Sequence, residues 1–143
     1  MRAAWRRRNL TRPLSSLTVE LMAYDRTNVF ARILRGELPC TKVYEDAHVL
    51  AFRDIGARMP THVLVIPKGE YVSLDDFSTK ASDAELAAVM RALGNVARQE
   101  GVAEAGYRVI ANTGRDGHQE VPHFHIHVLG GGDVGPMLPR RSG

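Results

Sequence analysis

The chain has 143 residues, enough for one domain of ordinary size and too few for a second large one. It is 44% hydrophobic and 24% charged, the make-up of a globular domain; a single cysteine, Cys40, excludes an intramolecular disulfide framework and an all-cysteine zinc site. The net charge of +3 sits at the front, where residues 1–21 hold five arginines against one glutamate, while the remainder carries 14 basic and 15 acidic residues and offers no basic stripe for a nucleic acid.

Apolar runs such as 63–66 are far shorter than the roughly 20 residues a membrane helix needs, so no membrane partner is expected. The cysteine count points to a reducing compartment, with the cytoplasm as default. Residues 1–21 are Arg-, Ser- and Thr-bearing like an organelle transit peptide. They lack helical or strand periodicity, however, and the favoured reading is a disordered extension before a start at Met22. The folded domain is then 22–143.

Val29, Phe30, Ile33 and Leu34 recur at helical spacing with Arg32 and Arg35 opposite, which predicts a short amphipathic helix ended by Gly36. Residues 41–45 and 48–54 read as a β-hairpin, and 62–67 as a third strand antiparallel to it. Ser82 and Glu85 form a capping-box signature, and Leu86, Val89, Met90, Leu93, Val96 and Ala97 follow at helical spacing, predicting a helix over 83–100 ended by Gly101. Residues 107–111 read as a fourth strand, 112–117 as a turn-rich loop and 123–129 as a fifth strand; the glycine-rich tail from Gly130 is expected to be irregular.

The chemistry concentrates in the last strand. His123, His125 and His127 alternate with Phe124, Ile126 and Val128, so a strand places the imidazoles on one face and the apolar groups on the other. A lone strand histidine is ordinarily a solvated polar residue, but strict alternation of three argues for a site. As zinc ligands all three converge poorly, because at about 3.3 Å per residue the outer Cα atoms stand about 13 Å apart. Two of them with His62 remain a possible set, though no cysteine pair or carboxylate cluster completes it. The other reading is nucleophilic catalysis, in which one imidazole attacks phosphorus and its neighbours donate protons and hydrogen bonds. The Gly-, Asn- and Thr-bearing loop just before the strand suits anionic oxygens. His48 and His118 read as surface residues and Cys40 as a packed small apolar residue.

The segment HFHIHVL at 123–129 resembles the signature of the histidine triad superfamily. The similarity extends through NVFARILRGELPCTKVYED, LAFRDI, PTHVLVIPK, GYRVIANTG and GHQEVPHFHIHVLGG, and looks most like the Hint branch of purine nucleotide phosphoramidases. The resemblance implies an α+β fold with a five-stranded antiparallel sheet and two helices, extended to ten strands across a homodimer. It implies hydrolysis of phosphoramidate or acyl-phosphate bonds on AMP or GMP through a nucleotidyl-histidine intermediate, without a cofactor.

By motif position His125 is then the nucleophile, His127 contacts the phosphate and protonates the leaving group, and His123 and His62 form the supporting shell. Asp54 matches the acid on the ribose hydroxyls, while Ile55, Phe30 and Ile33 match the base pocket. Asn112, Gln119 and Glu120 match the phosphate side. Bacterial relatives often bind zinc through Cys-x-x-Cys where this chain has Asn28 and Ala31, so no metal is expected. Glu120 replaces the serine of animal members, a carboxylate that repels phosphate unless turned away, and the tail lacks their tryptophan. The alternatives are a dinucleoside polyphosphate hydrolase and a purine nucleotide-binding scaffold.

Overall fold

The structure, a computed structural model, describes residues 23–139; the expected extension at 1–21 lies outside the described residues. Helix α1 (Val29–Leu34) starts where Asn28 Oδ1 accepts the Ala31 amide, and Gly36, at φ 76°, ends it in the left-handed conformation that glycine adopts without strain. Strands β1 (Lys42–Glu45) and β2 (Val49–Arg53) form the expected hairpin, and β3 (Thr61–Pro67) pairs antiparallel with β2. Helix α3 (Asp83–Gln99) carries both halves of the capping box anticipated at Ser82 and Glu85.

Two elements depart from the sequence expectation. A third helix, α2 (Leu74–Lys80), stands where none was expected; it buries only Phe77, too little apolar periodicity to read, although Ser73 caps it by accepting the Asp76 amide. The last strand, β5 (Ile126–Gly130), begins three residues late, because the His123 carbonyl accepts from the His125 ring and the Phe124 amide donates to Tyr71 O instead of entering the ladder. Strand β4 (Arg108–Ile110) is an edge, and the five antiparallel strands lie in the order β1-β2-β3-β5-β4.

The central strands are buried on both faces, which explains their unbroken apolar runs. Val49, Ala51, Val63, Val65, Phe124, Ile126 and Val128 meet α3 through Val89, Ala92, Leu93 and Val96. On the opposite face Leu50, Phe52, Leu64 and Ile66 pack with Phe30 of α1. The period of two thus assigns odd residues of β2 and β3 to one core and even residues to the other. His62 lies on the α1 face with Leu64 and Ile66, at the end where the apolar cover stops. No helix among the described residues is long and apolar enough to cross a membrane.

Candidate active site

Leu64 of β3 stands opposite His127 of β5, and His62 is two residues along the same face, so the two imidazoles are diagonal cross-strand neighbours. His62 Nε2 lies 2.9 Å from His127 Nδ1 and 3.2 Å from Asp54 Oδ2. The Arg58 backbone amide donates to His62 Nδ1 at 3.1 Å, which fixes the tautomer: Nδ1 holds the lone pair and Nε2 the proton. His62 therefore donates to His127 Nδ1, and the remaining His127 proton sits on Nε2.

The same accounting orders the other two rings. His125 Nδ1 donates to the His123 carbonyl at 2.7 Å, leaving the His125 Nε2 lone pair uncommitted. His123 Nε2 donates to Pro67 O at 2.9 Å, and its Nδ1 accepts from the Tyr24 hydroxyl. Burial is the leading cause that lowers the pKa of all four rings, helped at His127 by the neighbouring imidazoles; His123 and His127 are pushed down to about 4. The row is consequently neutral at pH 7, with one nucleophilic nitrogen and one N–H donor side by side, ring centroids 5.2 Å apart.

These groups border a cavity of about 1080 Å³, ample for a nucleotide. Phe30 stands edge-on to His125 at 5.0 Å and to Phe52 at 5.6 Å, giving the cavity an apolar end that Ile33 extends. Asp54, Ile55, Asn112, Glu120, His125 and His127 also line it, and so does His62, expected in the supporting shell. Asp54 Oδ1 is anchored by the Gly56 amide at 2.8 Å, and Ile55 beside it is fully exposed, an apolar side chain without a protein partner.

Placement differs for three residues. Gln119, expected on the phosphate side, does not face the cavity: its amide nitrogen donates to Val72 O and Val121 O, and its oxygen accepts the Gly114 amide, so it ties the loop down from behind. His118, expected as a mere surface residue, is exposed but stands in the cavity wall. Cys40, expected to be packed, is exposed at the cavity rim, because the connection between α1 and β1 belongs to neither apolar cluster. Sequence reasoning missed Tyr24, which is 99 residues from the ring it bonds, and Arg58, which acts through its backbone.

The loop depends on close backbone approach at Gly117, where an added Cβ would lie 2.5 Å from Thr113 O and 2.9 Å from Thr113 N. Gly117→Ala is expected to force the loop open, lowering stability by about 1–3 kcal/mol in thermal unfolding and reducing activity with it.

Asp54, His62 and His127 present donor atoms within 4.8 Å of one another, and a His₂Asp set can bind zinc. The tautomer argues against it, since His62 Nε2, the atom facing the other two, carries the proton that the Arg58 amide imposes. The relatives' Cys-x-x-Cys positions also do not fit zinc, for Asn28 caps α1 and donates to Asp25 O, and Ala31 has no side-chain donor.

Three alternating imidazoles leading into strand β5 of a five-stranded antiparallel sheet define a histidine-triad architecture, and the HIT domain model matches residues 35–134: the chain belongs to the HIT family. It is 60% identical over 117 residues to a 13.2 kDa HIT-like protein of Azospirillum brasilense, covering 82% of this chain and 96% of that one. It is 45% identical over 114 residues to the purine nucleoside phosphoramidase of Escherichia coli K12, covering 80% and 95% respectively. Among solved structures, a HIT family hydrolase of Legionella pneumophila aligns with a TM-score of 0.69 and 39% identity, over 76% of this chain and 96% of that one.

Proposed function

We propose that the protein hydrolyses purine nucleoside phosphoramidates or acyl-nucleotides, AMP or GMP joined through a P–N bond or a mixed anhydride, by way of a nucleotidyl intermediate on His125. The observation that carries this reading is the ordered row itself: a lone pair on His125 Nε2 beside a proton on His127 Nε2, both at one cavity. The likeness to a protein named a purine nucleoside phosphoramidase supports it.

The purine lies against Phe30, Ile33 and Ile55, and Asp54 accepts from the ribose hydroxyls. Asn112 donates to the phosphate. Binding of the anion favours the charged form of His127, which burial and its neighbours otherwise disfavour: a proton drawn from solvent enters at Nδ1, and the His62 Nε2–H that pointed there turns to Asp54 Oδ2, 3.2 Å away. His125 Nε2 then bonds to phosphorus, the P–N bond breaks, and the His127 proton leaves with the amine. Water attacks next, the His125–phosphorus bond breaks, and the water proton returns to His127, releasing AMP or GMP. His62 and His123 hold the two reacting rings in register.

The working unit is a homodimer in which β4, with exposed Val109 and with exposed Tyr107 just before it, pairs with its counterpart in a second copy. An unpaired, exposed Cys40 suits the reducing cytoplasm.

Intact mass after brief exposure to an adenosine phosphoramidate tests the reading. His127→Ala is expected to gain one adenylyl group, and the gain is expected to vanish when His125→Ala is added. No adduct and no released AMP from the wild type would replace the enzyme with a nucleotide-binding scaffold.

A further inference from the structure

The loop 112–120 forms one wall of the cavity, and its two exposed polar members near the mouth are His118 and Glu120. Gln119 between them faces away and is fastened to Val72, Val121 and Gly114, so the loop is held from behind while its neighbours are presented to the cavity. His118 has φ 59°, the sole positive value at a non-glycine residue among the described ones. A side chain with a Cβ is strained there and glycine is not, so local stability alone favours glycine at this position. The only hydrogen bond of His118 among the described residues runs from its backbone amide to Arg115 O. Its ring is not used to hold the loop.

Resting on the reaction proposed above, we propose that His118 touches the substrate, donating a hydrogen bond from its imidazole to the leaving group. His125 lies at the buried floor, and displacement at phosphorus is in line, so the departing group points away from the floor toward the mouth. His127 supplies the proton, and a further hydrogen bond from the mouth side stabilises the electron density that builds on the departing heteroatom. Glu120 is an acceptor only. Of the three arginines in the wall, Arg53 is bidentate to Glu100 and the Arg108 guanidinium is held by the carbonyls of Gly135 and Pro136, while Arg58 bonds His62 through its backbone amide. That leaves the Arg58 guanidinium and the His118 ring as the wall's uncommitted donors, and only His118 bears backbone strain. His118 is thus a specificity residue that reads the leaving group, and its strained backbone is the cost of presenting the ring.

The test compares wild type, His118→Gly and His118→Asn on two substrates, an adenosine phosphoramidate with an alkylamine leaving group and the p-nitrophenyl ester of AMP, whose leaving group departs without help. Affinity for AMP, which lacks a leaving group, is measured by calorimetry. His118→Gly is expected to melt at or above the wild-type temperature and to lose about tenfold in kcat/KM on the phosphoramidate. Its activity on the ester and its AMP affinity are expected to stay within about twofold, and His118→Asn, which tolerates the left-handed backbone and keeps an N–H donor, is expected to recover part of the loss. Equal losses on both substrates, weaker AMP binding, or no loss at all would overturn the role of His118 alone. A wild type that cleaves neither substrate would overturn the underlying reaction instead, and this role with it.

Discussion

His125→Ala is expected to lower kcat on an adenosine phosphoramidate by on the order of 10⁴-fold or more, with AMP affinity changed no more than about threefold. The size follows from what the ring supplies. Its Nε2 carries the lone pair that the His123 carbonyl orients by holding Nδ1–H, and burial lowers its pKa so that the lone pair is available at neutral pH. No neighbour can take over. His127 Nδ1 is occupied by His62, His123 is fully buried with both nitrogens bonded, and His62 Nδ1 is bonded to the Arg58 amide. His127→Ala is expected to cost less, about 10²–10³-fold, because an acid helps the leaving group without forming the bond to phosphorus. Single-turnover kinetics with calorimetry for AMP separates the two variants. Retention of more than a tenth of wild-type kcat in His125→Ala would sink the covalent mechanism.

Acid is expected to unfold the protein in a window set by the same rings. His123 is neutral when folded down to about pH 4, whereas in the unfolded chain it titrates at 6.5. Burial is the main cause, opposed by the hydrogen bond to Pro67 O. Between those values the unfolded state binds a proton that the folded state does not, so stability falls as pH falls from 6.5 toward 4. Above 6.5 the ring is neutral in both states and contributes no pH dependence. The interval amounts to roughly 3 kcal/mol for His123, and His127, also pushed down to about 4, adds in the same direction. Glu45 acts in a lower window, since hydrogen bonds from Lys42 and Lys68 hold its carboxyl at about 2 and its contribution is lost only below 4.5. Urea unfolding from pH 7.5 to 4 measures the effect, and His123→Asn is expected to flatten the slope while lowering stability throughout. A wild-type stability that stays level from 6.5 to 4 would show that the rings charge without unfolding the chain.

Much of the architecture was legible in the residues because it is local or periodic. Helical spacing with a capping box located α3, the apolar runs located β2 and β3, and alternation at 123–128 put the histidines on the face opposite Phe124, Ile126 and Val128. The family likeness carried over Phe30, Ile33, Asp54, Ile55, Asn112 and Glu120, all of which line the cavity. Helix α2 escaped because one buried Phe77 gives no period, and the start of β5 escaped because His125 takes the carbonyl of His123 for its own ring.

The sequence by itself determined which side chains share a face, since that depends only on the geometry of strand and helix. The tertiary structure alone decided which nitrogen carries the proton on His123 and His127, through a carbonyl at Pro67, a hydroxyl at Tyr24 and the His62 ring contributed by distant segments, whereas His62 and His125 are set by near neighbours, the Arg58 amide and the His123 carbonyl. It also decided that His118, not Gln119, faces the cavity, because a left-handed residue and the three hydrogen bonds of the Gln119 side chain, one of them reaching Val72, set the direction of the wall. Hydrogen bonds are directional and short-ranged, and which partners come within 3 Å is settled only once the chain has closed on itself.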